Sequence, residues 1–145
     1  MQRLIAIILF IISFFVPGDM SKANVYPNEK IAENATKAEF VFENKTGNRL
    51  EIGVTVDSVE RKSIGSDDWI PVSFQQVING SIANYKLYPN EKITLHVNFI
   101  DPKTGEDVPL VAGDYRITVT YKMSGYTDNE SMTKSFDFTV DAPDW

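Results

Sequence analysis

His96 is the only histidine in this 145-residue chain, and there is no cysteine. The imidazole sits in LHVN, where the two-residue period of a strand sends Leu95 and Val97 to one face and His96 to the other. A solvent-facing side chain is expected there, not a catalytic base. With no thiol and no Ser on a strand-to-helix elbow, nucleophilic catalysis has no visible machinery. One His without Cys also excludes the usual Cys/His zinc sites. Carboxylates gather in GSDDW (Asp67, Asp68), DPKTGED (Asp101, Glu106, Asp107) and GYTDNE (Asp128, Glu130). Converging loops can hold calcium, but none of the three has the alternating Asp spacing of a dedicated calcium loop. They read as solvated turn residues, with no metal and no cofactor implied.

Binding chemistry is better represented. Trp69 beside Asp67 and Asp68, Tyr126 in SGYTDNE, and Trp145 are aromatics in loop contexts, the residue types that anchor interfaces. Trp69 has an alternative role as a core filler, and Trp145 as a residue closing one end of the domain. Four Asn-x-Ser/Thr triplets, at Asn34, Asn44, Asn79 and Asn129, would be glycan acceptors in a eukaryotic secretory pathway and unmodified in a bacterium.

The elements that position these residues begin with MQRLIAIILFIISFFVPGDMSKA. A basic start at Arg3, an apolar run from Leu4 to Val16 and a polar stretch broken by Pro17 and Gly18 have the order of a secretory signal peptide. The run is shorter than the roughly 20 residues of a spanning helix, so cleavage is expected over retention as an anchor. Ser21 and Ala23 supply the small residues for a cut after Ala23. The sequence therefore predicts a signal peptide over 1–23, an N-terminal lead over 24–36, one domain over 37–145, and a secreted or periplasmic location without membrane insertion after cleavage. The net charge of −6 argues against nucleic acid and anionic membrane surfaces. An exported chain without cysteine has no disulfide staples, so its fold rests on its core.

From Ala38 onward the apolar period is two. DYRITVTYKM places Tyr115, Ile117, Val119, Tyr121 and Met123 on one face. KITLHVNF does the same with Ile93, Leu95, Val97 and Phe99, and SFDFTV with Phe136, Phe138 and Val140. AEFVFEN buries Ala38, Phe40 and Phe42, and RLEIGVTV buries Leu50, Ile52, Val54 and Val56. Weaker strands are expected over Ser58–Ser63, Trp69–Phe74 and Ser81–Leu87. Turn-rich stretches separate them, and seven or eight short strands at this spacing predict an all-β, antiparallel immunoglobulin-like β-sandwich. In LVAGDYRI, a Gly-Asp corner before Tyr115 is the pattern of a tyrosine corner, with Ile117 where antibody domains carry a cysteine. The hexapeptide YPNEKI occurs at Tyr26–Ile31 and at Tyr88–Ile93. Only the second copy leads into an alternating strand, so the repeat reads as one turn motif used in two settings.

SVERKSIGSDDWIPV, LYPNEKITLHVNF and PLVAGDYRITVTYK together resemble the bacterial immunoglobulin-like domain of many exported proteins, over roughly Ala38 to Met123. The chain departs from that pattern at Asn90, where the family usually has Gly; Asn tolerates the left-handed turn conformation. A looser likeness, in strand order and in the Pro-x-Glu and Gly-x-Tyr corners, is to small bacterial proteinase inhibitors of the BsuPI type. The resemblance implies a fold and an exported, non-catalytic binding or accessory module, with an unknown protein or glycan partner met through loops or an edge strand. The alternative is a secreted proteinase inhibitor that inserts GSDDW or DPKTGED into a protease cleft. An enzyme reading rests on His96 alone.

Overall fold

A computed structural model describes residues 19–77, 86–123 and 131–143. The expectations for the apolar N-terminal run, for Tyr126, Trp145, Asp128 and Glu130, for Asn79 and Asn129, and for most of Ser81–Leu87 lie outside these residues. So do the side chains of Ile52 and Met123.

Short alternating stretches broken by Gly, Pro, Asn and Asp form strands because each buries one face and then turns. The strands are β1 (Ala23–Pro27), β2 (Ile31–Ala32), β3 (Lys37–Asn44), β4 (Leu50–Lys62), β5 (Trp69–Pro71), β6 (Gln75–Val77), β7 (Lys86–Leu87), β8 (Lys92–Asn98), β9 (Gly113–Met123) and β10 (Ser131–Asp141). A 3-10 turn, Met20–Lys22, leads into β1. One sheet has the order β1-β3-β8-β6 and the other β2-β10-β9-β4-β5, with β7 paired to the start of β4. All pairings are antiparallel except that of β2 with β10. This is the two-sheet arrangement of an immunoglobulin-like β-sandwich.

The layers meet through aromatic side chains. Phe40 of β3 meets Phe138 of β10 edge-on at 5.0 Å between ring centroids, and Phe42 meets Tyr121 in the same way at 5.2 Å. Such pairs add to the burial of the rings themselves. Tyr115, Ile117, Val119 and Tyr121 of β9 are buried, as are Leu95, Val97 and Phe99 around β8. Ile93 and Phe136 are only partly buried at the margin of the core. The Tyr115 hydroxyl donates to the Val111 carbonyl at 2.6 Å, which closes the tyrosine corner that GDY predicted. Ile117, two residues on, is apolar and buried.

Burial pushes the phenols of Tyr115 and Tyr121 above the ordinary value of 10.0, more than Arg61 beside Tyr115 and the Ala23 backbone bonded to Tyr121 pull them down. A raised folded value leaves stability intact below about pH 10 and removes it as pH climbs beyond, because the unfolded chain ionises first. Urea midpoints are therefore expected to hold to about pH 9 and fall by pH 11. Y121F is expected to lessen that fall; an identical fall in Y121F would contradict this assignment.

Three expectations need correction. The stretch 24–36 is not a lead before the sandwich: β1 pairs with β3 from Ala23↔Asn44 to Pro27↔Phe40, and β2 pairs with the end of β10. Val25 and Ile31 are buried in the core. Two buried residues in β1 and one in β2 are too few to register as a period-two face. Ala23, the residue before the expected cut, is itself buried, and the Lys134 ammonium donates to the Ser21 carbonyl at 2.6 Å. Second, RLEIGVTV and Ser58–Ser63 are one strand, β4, in which register shifts between Glu51 and Thr55 and between Val56 and Ser58 carry Val59 inward after Val54 and Val56. An extra residue in one strand reverses the faces beyond it. Third, Trp69 is not the core filler; Tyr115, Tyr121, Phe40, Phe42 and Phe99 are the largest fully buried side chains.

The second YPNEKI makes the expected turn. Glu91 N–H donates to the Tyr88 carbonyl at 3.1 Å, and Asn90 takes the left-handed conformation at φ 68. That turn is tied to Asn44, which is fully buried. Its Nδ2 donates to the carbonyls of Asn48 (2.7 Å) and Leu87 (3.0 Å), and its Oδ1 accepts from Thr46 N–H (3.1 Å) and Thr46 Oγ1 (2.7 Å). Both Nδ2 hydrogens are thus engaged inside the fold, which leaves no room for a glycan at this Asn-x-Thr triplet. Asn34 is exposed at a left-handed turn. Along the free edge of β4, the Gln76 side chain reaches across from the other sheet. Its Oε1 accepts from Val56 N–H at 2.8 Å and its Nε2 donates to the Val54 carbonyl at 3.0 Å.

Candidate functional site

The pairing Arg61↔Tyr115 brings the end of β4 to the start of β9. The β4–β5 hairpin therefore projects from the same end of the sandwich as the 99–112 connection that leads from β8 into β9. GSDDW and DPKTGED share that end. Met123 and Ser131, which end β9 and begin β10, lie at the opposite end, and the third acidic stretch is outside the described residues. Among the described residues, no three His, Asp or Glu side chains come together in a way that could hold a metal ion.

The hairpin is a closed turn. Ser63 N–H donates to the Asp68 carbonyl at 2.8 Å, Ser66 Oγ donates to Asp68 Oδ2 at 3.3 Å, and Gly65 takes φ +83. Asp67 and Asp68 are exposed, as solvated turn residues should be. Ile64, which no sequence pattern marks, stands at the tip and is 92% exposed. Val111, just before β9, is 43% exposed. A shallow cavity of about 490 Å³ lies between the hairpin and the Ala112–Asp114 turn. Exposed apolar residues are ordinary one at a time; here two, Ile64 and Val111, stand at the same end of the sandwich.

Trp69 lies half-buried on the outer face of the six-strand layer, paired with Lys62. The Arg116 guanidinium sits 4.1 Å from the centre of its ring, and Arg116 Nε donates to Asp137 Oδ1 at 2.9 Å. A guanidinium stacks on an indole through the ring's quadrupole while keeping its planar fork for a carboxylate. Indole, guanidinium and carboxylate thus form one contact chain that reaches from β5 over β4 to β9 and β10, oblique to the pairing of Arg116 with Glu60. Thr118 and Ser135 share a hydrogen bond at 2.7 Å in the next outward pair of β9 and β10, Thr120 and Thr133 at 2.7 Å in the one after, and Thr120 also donates to Asp57. Outward alternation on β9 and β10 produces this hydroxyl-rich face. Beside this contact chain, a cavity of about 330 Å³ is lined by Lys62, Trp69, Asp114, Arg116, Asp137 and Thr139, with Tyr115 and Phe138 at its edge. No motif singles out Arg116 or Asp137. The signal was available in their outward places on two strands of known alternation, but pairing them requires the register Asp137↔Arg116.

His96 lies on the other sheet, outward as its strand position predicted, with Nδ1 3.4 Å from Glu39 Oε1. Asn28 Nδ2 donates to the other oxygen of Glu39 at 3.3 Å. A groove of about 540 Å³ runs past this pair between the 29–35 segment and β6. The structure brings Trp69, Asp67 and Asp68 together and places His96 apart from them.

No family model matches the chain, and no curated protein matches it. A solved structure similar to it is the ASH / PapD-like domain of human CEP192 (PapD-like domain 7). The match has 12% identity, covers 86% of this chain and 87% of that one, and has a TM-score of 0.42.

Proposed function

We propose that the protein is an exported, non-catalytic binding module that meets its partner through the β4–β5 hairpin and the outer sheet face around Trp69. The observation that carries this reading is the convergence, at one end of a rigid sandwich, of Ile64, Val111 and the Trp69–Arg116–Asp137 contact chain. Binding sites favour such loops on a fixed scaffold, and Trp and Arg dominate interface energetics. Export rests on the order of charge, apolar run and small residues in 1–23, and on the likeness of SVERKSIGSDDWIPV and PLVAGDYRITVTYK to the bacterial immunoglobulin-like family. The proteinase-inhibitor reading is less well supported, because both loops it would insert are closed turns. In DPKTGED, Gly105 N–H donates to the Asp101 carbonyl at 2.7 Å, whereas a protease cleft takes an extended chain.

Immobilised protein offered its own extracellular medium is expected to retain one partner, and W69A and I64D are expected to lose at least about 10-fold of that capture, as hot-spot truncations do. Ile64 stands in solvent and Trp69 is half-buried under Arg116, so an unchanged urea midpoint is expected for I64D and a loss of only about 1 kcal/mol, with the fold intact, for W69A. Folded variants that still hold the partner would overturn this assignment of the surface.

A further inference from the structure

The cavity beside Trp69 has chemistry more specific than a protein-contact face. Its walls carry two cations, Lys62 and Arg116, and two anions, Asp114 and Asp137, so their formal charges cancel. Thr139 adds a hydroxyl that can donate or accept. Arg116 is fixed from two sides, by the indole and by Asp137, and a group held in place beforehand costs little ordering on binding. The guanidinium lies over the indole, 4.1 Å from the ring centre, and Trp69 keeps part of its surface exposed to the cavity. The volume of about 330 Å³ falls at the small end of the roughly 300–1,000 Å³ typical of ligand pockets.

We propose that this cavity binds a neutral saccharide. The exposed part of Trp69 stacks on the C–H face of a sugar ring, Asp114 and Asp137 accept from its hydroxyls, and Arg116, Lys62 and Thr139 donate to them. Donors and acceptors of both charges around one aromatic plane suit a polyhydroxylated, uncharged ligand. An anionic ligand would be repelled by Asp114 and Asp137, and a cationic one by Lys62 and Arg116. The strand that carries Arg116 offers an extended peptide no backbone to pair with, because β9 is bonded on one side to β10 and on the other to β4 along this stretch.

The proposal rests on the reading of the Trp69 face as a binding surface, and its test separates the two. Isotope-labelled protein is titrated with chitohexaose, cellohexaose or maltohexaose to about 10 mM, with polygalacturonate and oligolysine as charged controls. At least one neutral hexaose is expected to shift the Trp69 indole and Arg116 Nε signals with a Kd of about 0.1–1 mM. W69A should weaken binding at least about 10-fold and D114N several-fold, with the fold intact. Failure of all three hexaoses to move the Trp69 indole, a response to the charged controls alone, or undiminished binding by W69A would each overturn the saccharide assignment. Loss of a protein partner by W69A together with silence from every hexaose would leave the binding-surface reading standing and remove the saccharide.

Discussion

Asn44→Ala is expected to cost about 3–5 kcal/mol of folding stability, although it removes only an amide from a chain with a large apolar core. The residue is fully buried and its side chain makes four hydrogen bonds. Each would contribute only about 1 kcal/mol if both partners vanished together, but truncation leaves the partners behind. The Leu87 carbonyl lies in a buried setting with its donor gone, and the Thr46 hydroxyl and N–H lose their common acceptor. Asn44 also holds the following loop to the second YPNEKI turn through backbone bonds, Asn90 N–H to its carbonyl at 2.7 Å and its own N–H to the Glu91 carbonyl at 3.0 Å. Loosening the side chain therefore loosens two loops at once. Asn44→Asp is expected to be no better, because an oxygen replaces the Nδ2 donor opposite two carbonyls. Urea denaturation of both variants measures this. A loss below about 1 kcal/mol for Asn44→Ala would mean that water or a shifted loop replaces the network.

Phe40→Ala has a comparable expected cost, about 3–5 kcal/mol, by a different route. Phe40 is fully buried on β3, an interior strand of its sheet, and its ring meets Phe138 at 5.0 Å from the facing layer. Phe138 in turn stacks on Tyr115 at 5.4 Å. Removing the first ring takes away burial and opens a cavity whose walls come from both sheets, and neither sheet can collapse without breaking strand pairing. Phe40→Leu keeps most of the volume and should recover more than half of the loss. Thermal or urea unfolding reads the difference; equal effects of the Ala and Leu substitutions would show that ring–ring geometry, not volume, sets the cost.

Much of the sandwich was legible because β3, β8, β9 and β10 each display one apolar face against polar neighbours, a pattern that sterics alone make periodic. The tyrosine corner was legible because GDY carries its own turn chemistry. The N-terminal strands were not. β1 pairs along an edge with two buried residues, and β2 is two residues long, so tertiary pairing decides them and local pattern does not. The register shifts in β4 were likewise silent, since an inserted residue looks the same in sequence as a strand end followed by a new strand. At the candidate site, Trp69 and its two aspartates were readable as residue types out of place in a core. Arg116 and Asp137, 21 positions apart, meet only through strand register. Asn44 illustrates the converse: its Asn-Lys-Thr context reads as an exposed turn, yet the amide satisfies buried carbonyls that no local rule could reveal.

The reach of Gln76 across to β4 has a consequence for motion. The Val56 amide hydrogen is held by a side chain that belongs to the opposite layer. Its exchange with solvent deuterium therefore waits on the Gln76 amide swinging away or on the two layers parting along that flank, whereas amides bonded within β9 and β10 exchange when a strand frays. That one backbone proton thus reports on the contact between the layers, separately from the loosening of either sheet.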